Sequence, residues 1–116
     1  MQIRVTTDNN ITGSEGLTSH VESVVEDVLG RFSQRLTRIE VYLADENSRA
    51  KSGENDKRCT MEARPRGLKP IAITEQAATL YQAIDAAADT LAKTLDRTIE
   101  RLDDRKRQSY GGDGRV

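Results

Sequence analysis

Residues 80–107 read LYQAIDAAADTLAKTLDRTIERLDDRKR and contain neither glycine nor proline. Apolar residues recur in this segment every three or four positions, which keeps one stripe of an α-helix apolar. Thr79 and Gln82 stand at the spacing of a capping box, so we expect the helix to begin after Thr79. A helix of this length measures about 42 Å at roughly 1.5 Å per residue. The apolar stripe consists of Leu80, Ile84, Ala88, Leu91, Leu95, Ile99 and Leu102.

Basic residues form a second line on the same predicted helix. They recur at intervals of four, so they drift slowly around the helix surface. Six acidic residues lie among residues 80–107 and equal the six basic ones in number. Pairing at i,i+3 and i,i+4 would make the line a solvated, self-neutralised face, whereas an unpaired line would bind the phosphates of a nucleic acid. The residues alone leave both interpretations open for Lys93, Arg97, Arg101 and Arg105.

Four short segments alternate between apolar and polar residues and are predicted to be β-strands. Pro70 cannot donate a ladder hydrogen bond, which favours an edge position or a strand start for the fourth segment. Between the first two strands, Thr12 and Glu15 have capping-box spacing and precede apolar residues at helical intervals up to Phe32. The strands are expected at residues 2–7, 38–43, 58–64 and 68–74.

The predicted order of elements is β-α-β-β-β-α. One sheet and two amphipathic helices form the simplest two-layer α+β sandwich when both helices cover the same face of the four-stranded sheet. We expect a single domain over residues 1–107, an exposed loop at 44–56 and a flexible, glycine-containing tail at 108–116. Aromatic residues make up 3% of the chain, so the core is predicted to be aliphatic.

The composition excludes several classes of protein. A net charge of −1 argues against a chain that is basic overall, so any polyanion site must be a local patch. Cys59 is the one cysteine of the chain; it cannot form an intrachain disulfide, which favours a reducing compartment. No segment has the length of a membrane span, and the first residues lack the apolar run of a signal peptide. We therefore expect a soluble, cytoplasmic protein with no membrane partner.

The motifs of catalytic sites are missing from the sequence. It contains no glycine-rich phosphate loop, no paired cysteines at metal-ligand spacing and no nucleophile motif. His20 lies on the flank of the first predicted helix, where a solvated residue is the simpler interpretation. Cys59 is predicted to point inward from a strand and to act as a small apolar residue. An enzymatic interpretation would rest on these two residues, so we expect no enzyme activity, no metal, no cofactor and no small-molecule substrate.

A second group of basic residues surrounds the third and fourth predicted strands. Between residues 56 and 69, five basic residues accompany two acidic ones. Together with the line on the long helix, this group is a candidate for contact with phosphates. The sequence shows no aromatic platforms of the single-strand-binding type, so we expect RNA to be bound through its backbone and shape. The second group consists of Lys57, Arg58, Arg64, Arg66 and Lys69.

The order of elements and two short segments resemble the family of ribosome hibernation-promoting factors and ribosome-associated inhibitor A, also called sigma-54 modulation proteins. One segment is IEVYL at residues 39–43, which follows the first predicted helix. The more specific segment is LYQAID at residues 80–85, which opens the long helix. The resemblance extends from residue 1 to about residue 107 and is to the short form of the family.

This resemblance implies a fold like that of a double-stranded RNA-binding domain, without enzyme activity. It implies binding to the small ribosomal subunit and its 16S rRNA. A bound protein of this kind would block the tRNA and mRNA channel sterically and inhibit translation under stress. By position, Lys93, Arg97 and Arg101 are the best matches to the rRNA-contacting residues of the family.

The first predicted helix departs from the family pattern, in which this helix usually carries lysine or arginine. Residues 12–30 contain neither. An acidic helix next to rRNA phosphates would be repelled by them. The alternative function is therefore a protein-interaction or regulatory domain that has kept the fold and lost rRNA binding. The acidic residues of this helix are Glu15, Glu22, Glu26 and Asp27.

Overall fold

The computed structural model describes residues 1–8, 11, 14–45 and 56–115, excluding the side chains of Ser14 and of 106–115. The predicted element order, β-α-β-β-β-α, is confirmed. A π-helical segment, Val25–Leu29, and a 3-10 turn, Gly30–Phe32, extend the first helix towards the second strand. The elements are β1 (Gln2–Thr7), α1 (Ser14–Val24), β2 (Leu36–Asp45), β3 (Lys57–Pro65), β4 (Ile71–Ala77) and α2 (Leu80–Arg115).

The four strands form one sheet in the order β1-β2-β3-β4. β1 is parallel to β2, because α1 carries the chain back across the sheet between them, and the other two pairs are antiparallel hairpin neighbours. The register aligns apolar residues of the four strands in a central row that faces the helices. The residues before and after each of them along the strand point to the other face of the sheet. That central row is Val5, Val41, Met61 and Ile73.

The core lies between this sheet and the two helices, which confirms the predicted α+β two-layer fold. Ile84, Leu91 and Leu95 of α2 are fully buried, as the apolar stripe predicts. They pack in one cluster with strand residues such as Met61 and with Leu29 from the π-helical segment. The cluster is almost entirely aliphatic, as the low aromatic content predicts, so the two layers are held together by branched side chains and alanine.

Several strand boundaries differ from the predicted ones. β2 and β3 pair out to Asp45 and Lys57, and an ion pair of 3.3 Å joins these two side chains. The first two residues of the predicted loop, Ala44 and Asp45, therefore belong to β2, while residues 46–55 lie outside the described part of the chain. β4 begins at Ile71, one residue after Pro70, because proline has no N–H to donate to the ladder.

The observed start of α2 agrees with the predicted one, whereas its observed end does not. The Thr79 hydroxyl accepts the Gln82 backbone N–H at 3.0 Å, which confirms the predicted cap. At the other end the helical backbone continues to Arg115, beyond the expected end at residue 107. Glycine weakens a helix but, unlike proline, keeps its N–H donor, so the glycines there do not force a stop. The division of the chain at residue 107 stays a prediction, and the other capping motif, at Thr12, lies outside the described residues.

Two glycines are expected to respond in opposite directions to substitution by alanine. Gly67, in the turn between β3 and β4, has a φ of 75°, so Gly67→Ala is expected to destabilise the fold by about 1 kcal/mol. Gly30 has an ordinary helical φ of −60°, and no heavy atom lies within 4 Å of an added methyl group. Gly30→Ala is expected to stabilise by about 0.5 kcal/mol, since it restricts the unfolded chain. Urea unfolding measures the free energy of unfolding of both variants. A change of the same sign in the two variants would contradict the prediction.

Candidate nucleic-acid interface

Three acidic residues of α2 are paired with basic residues that precede β2. The Arg31 guanidinium and the Asp96 carboxylate form two hydrogen bonds, of 2.7 and 2.9 Å. These bonds raise the pKa of Arg31 and lower that of Asp96, so both groups stay charged over a wide pH range. The three pairs are His20–Asp85 at 2.8 Å, Arg31–Asp96 at 2.7 Å and Arg35–Asp103 at 3.3 Å.

This pairing separates the charges of α2 onto two flanks. Asp96 and Asp103 face the segment that follows α1, so they are not the i,i+4 partners of the basic line. Lys93 is the exception, because its Nζ lies 3.5 Å from the Asp89 carboxylate one turn earlier. Among the side chains that the structure describes, no ion pair or hydrogen bond engages the remaining members of the line, Arg97, Arg101 and Arg105.

The predicted second basic group is divided between the two ends of β3. Lys57 lies at the start of β3 and is paired with Asp56 at 2.9 Å and Asp45 at 3.3 Å. The hydrogen bond with Asp56 raises the Lys57 pKa. Arg66 follows the end of β3, a strand of nine residues that spans about 27 Å. The sequence placed Lys57 and Arg66 in one group because they are close along the chain, but an extended strand separates its ends.

Arg66 meets the basic line of α2 at one end of the molecule. Its Nε donates to the Gln34 carbonyl at 3.0 Å. A groove of about 310 Å³ runs beside Arg66, Leu68 and Leu102. A second groove, of about 200 Å³, shares Leu68 and Leu102 and is lined by Arg101 and Arg105. We call this region the basic end; it consists of Arg66, Arg101 and Arg105, which line the grooves, with Lys69, next to Leu68 in the chain, and Arg97, one helical turn before Arg101.

The opposite half of the helical layer is acidic. A groove of about 420 Å³ between α1 and α2 is lined by Asp27, Asp85 and Asp89, with Val24 among its apolar residues. Asp89 and Arg101 are twelve residues apart on α2, which corresponds to about 18 Å along the helix. Phosphates would be repelled at this groove, to which α2 contributes two of the three carboxylates, and attracted at the basic end.

Arg58 and Arg64 lie on the sheet face that the helices leave uncovered. The register places Arg64 beside Arg38 of β2. Arg38 and Arg4, which were not among the candidates predicted from the sequence, lie on the same face. These two arginines stand at polar positions of alternating strands, which is the signal that could have identified them. Apart from Lys57 and Lys93, which are paired with neighbouring aspartates, the candidate basic residues are thus distributed over two surfaces, the basic end and the open sheet face.

Cys59 is expected to resist alkylation in the folded protein. Its side chain is fully buried, and burial raises its pKa to about 12. The thiolate that attacks alkylating reagents is therefore scarce at neutral pH. Iodoacetamide labelling followed by mass spectrometry checks this, with labelling in urea as the positive control. Rapid labelling of the folded protein would contradict the burial and favour a reactive thiol.

The same burial predicts a loss of stability at alkaline pH. The folded pKa of Cys59 lies above that of an unfolded thiol, which is about 8.5. The neutral thiol therefore contributes stability below pH 8.5, and this contribution falls as the pH rises towards 12. The slope is at most about 1.4 kcal/mol per pH unit. Cys59→Ala is expected to remove this part of the decline, measured by urea unfolding at several alkaline pH values.

The described residues contain no group of three or more His, Cys, Asp or Glu side chains that could hold a metal ion. His20 instead contacts the Asp85 carboxylate and lies edge-on to the Tyr81 ring, with the ring centres 4.8 Å apart. Within the same residues, no helix is both long and apolar enough to cross a membrane.

Comparison with known proteins gives a family and two similar structures. The family model described as sigma 54 modulation protein / S30EA ribosomal protein matches residues 3–103. The N-terminal domain of Protein Y from Thermus thermophilus superposes with a TM-score of 0.66 at 22% identity, covering 84% of this chain and 99% of that one. A ribosomal subunit interface protein from Coxiella burnetii gives the same TM-score at 16% identity, covering 86% of this chain and 99% of that one.

No curated protein sequence matches the chain. The two structures are less than 25% identical in sequence to this chain, so the similarity shows the fold alone. The family model covers almost the whole of the described domain and includes both IEVYL and LYQAID. The chain therefore belongs to the sigma-54 modulation protein and S30EA ribosomal protein family.

Proposed function

We propose that the protein is a ribosome-associated hibernation factor that binds the 16S rRNA of the small subunit through its basic end. The observation that carries the proposal is the availability of Arg97, Arg101 and Arg105, none of which is paired among the described side chains. Arg66 and Lys69 extend the same surface. Five cations at one end of a domain can each displace a counterion from an RNA phosphate.

The proposed mechanism is steric and requires no catalytic group. The two-layer body occupies the channel of the small subunit through which tRNA and mRNA pass, and translation stops under stress while the protein is bound. Arginine guanidinium groups suit this role because each can donate two parallel hydrogen bonds to a phosphate. The acidic groove at the other half of the helical layer limits how the domain can be oriented on rRNA.

The acidic groove also supports a second candidate function, a regulatory domain that binds a basic protein. Asp27, Asp85 and Asp89 surround apolar positions such as Val28 in this groove. A cationic amphipathic segment would match both its charge and its apolar floor. Pull-down of one defined basic protein without ribosomal RNA in the eluate would favour this function over rRNA binding.

Sucrose-gradient centrifugation with purified ribosomes tests the first proposal. The protein is expected to migrate with small subunits, and with whole ribosomes, at low and moderate salt. Small subunits that already hold mRNA and initiator tRNA are expected to bind less of it, because the channel is occupied. A protein that stays at the top of every gradient would contradict the proposal, and equal binding to filled and empty subunits would contradict the steric mechanism.

A further inference from the structure

The sheet face opposite the helices carries an excess of positive charge around a tyrosine. The register places four arginines and two glutamates on this face, all at positions that point away from the core. Gln2, Arg38 and Arg64 form one row across the strands, and Glu40 lies in the next row, between Arg4 and Glu62. The full set of charged residues is Arg4, Arg38, Arg58, Arg64, Glu40 and Glu62.

The two glutamates are occupied by groups of this face itself. Glu40 is only 8% exposed; its carboxylate accepts the Tyr42 hydroxyl and lies 2.9 Å from Arg38 Nε. The Tyr42 hydrogen bond and then the positive charges of Arg38, Arg64 and Arg4 hold the Glu40 pKa below its ordinary value. Glu62 accepts a bond of 3.2 Å from Arg64. Arg38 and Arg64 are therefore each paired with a carboxylate of this face, and each guanidinium, with five N–H donors, has further donors to offer a phosphate.

Tyr42 provides a flat aromatic surface in the middle of this face. Its hydroxyl reaches Glu40, which lies two residues along the same strand at about 7 Å. This bond directs the ring along its own strand, on the outer surface of the sheet. The Tyr42 residue is 42% exposed, and its neighbours across the strands, Thr6 and Thr60, are too short to cover it.

Arginines lie on both sides of this ring along the strand direction. Arg58 is in the row that follows Tyr42, while Arg38 and Arg64 are in a row that precedes it. These two rows are separated by six residues along each strand, which corresponds to about 20 Å. A flexible strand of nucleic acid could stack one base on Tyr42 and extend its phosphates towards the arginines at either end.

We propose that the open sheet face binds single-stranded RNA, with one base stacked on Tyr42 and the flanking phosphates held by Arg38, Arg64 and Arg58. Single-stranded rather than double-stranded RNA fits the site, because a base must be unstacked from its neighbours to lie on the ring. This surface is separate from the basic end, on the other side of the sheet from the helices. The two surfaces can therefore be tested independently.

Fluorescence anisotropy with a labelled oligouridylate of about ten nucleotides tests the proposal at low salt. Tyr42→Ala is expected to weaken binding about 5- to 150-fold, because base–aromatic stacking is lost. Tyr42→Phe keeps the ring and is expected to bind nearly as tightly as the unaltered protein. Tyr81→Ala, which removes an exposed tyrosine at the start of α2, is the matched control and is expected to leave the affinity unchanged.

The outcomes separate this site from the basic end. In the triple variant Arg97→Glu, Arg101→Glu, Arg105→Glu, Tyr42→Ala is expected to weaken oligouridylate binding by the same factor as in the unaltered protein, and Arg38→Ala is expected to weaken it in both. Loss of binding in the triple variant with retention in Tyr42→Ala would overturn the proposal, as would the absence of any binding. Equal loss in Tyr42→Phe and Tyr42→Ala would assign the effect to the hydroxyl and overturn stacking. Circular dichroism of each variant shows whether it is folded.

Discussion

Small ribosomal subunits are expected to lose the protein when Arg97, Arg101 and Arg105 are changed together to glutamate. The three guanidinium groups are exposed on α2 and lack partners among the described side chains, so their charge is available to rRNA phosphates. Reversal removes three cations and adds three repulsive anions at the basic end. The triple variant should stay at the top of a sucrose gradient in which the unaltered protein moves with the subunit.

The salt dependence of binding gives this prediction a quantitative form. Each phosphate contact to a single strand contributes about 0.7 to the slope of log affinity against log salt. Changing the three arginines to glutamine, which removes the charges without adding repulsion, is therefore expected to lower that slope by about 2. The matched control changes Arg97, Arg101 and Arg105 to lysine, which keeps the charge and most of the slope. An unchanged slope in the glutamine variant would remove these residues from the interface and leave the regulatory alternative.

A large loss of stability is expected for Leu91→Ala in the middle of α2. Leu91 is fully buried in the aliphatic cluster, where α2 packs against the sheet. Truncation to alanine removes apolar contacts and leaves a cavity that close-packed neighbours cannot fill, which costs about 3 kcal/mol. A domain of this size has roughly 5–15 kcal/mol of stability, so the variant is expected to unfold at clearly lower urea concentrations.

Leu102→Ala is the matched control for this core prediction. Leu102 belongs to the same apolar stripe, but it is only half-buried and lines the grooves of the basic end. Its truncation is expected to cost about 1 kcal/mol, because a half-buried side chain loses less apolar contact than a fully buried one. Urea unfolding followed by circular dichroism compares the two variants. Equal losses would show that the α2 stripe is packed uniformly along its length, contrary to the burial observed.

Local sequence signals predicted the structure correctly. The apolar alternation of residues 2–7 coincides with β1, and the inward positions of Cys59 and Met61 are confirmed by their complete burial. The cap at Thr79 is likewise confirmed, because a side chain and a backbone N–H three residues apart are placed by the helix itself. Boundaries were less well predicted, since the extent of β2 depends on how far β3 pairs with it.

The candidate site was only partly predictable. The line on α2 was identified from its spacing, but its competing acidic residues could not be assigned to partners from the sequence. The basic group from Lys57 to Lys69 was treated as a unit, whereas the strand between its members carries Lys57 and Arg66 to opposite ends. The sequence showed no aromatic stacking platform, although Tyr42 was predicted on the polar side of its strand, because the place of Tyr42 among arginines depends on the register of three strands.

The sequence by itself determined the element order, the aliphatic core and the resemblance to the family, because periodicity and short motifs are properties of neighbouring residues. The tertiary structure alone decided which charges are available to a partner. The pairs His20–Asp85 and Arg31–Asp96 each join residues 65 positions apart, and Arg35–Asp103 joins residues 68 apart. Such partners meet only when α1 and the segment that follows it pack beside α2 on the sheet, so no local pattern could assign them.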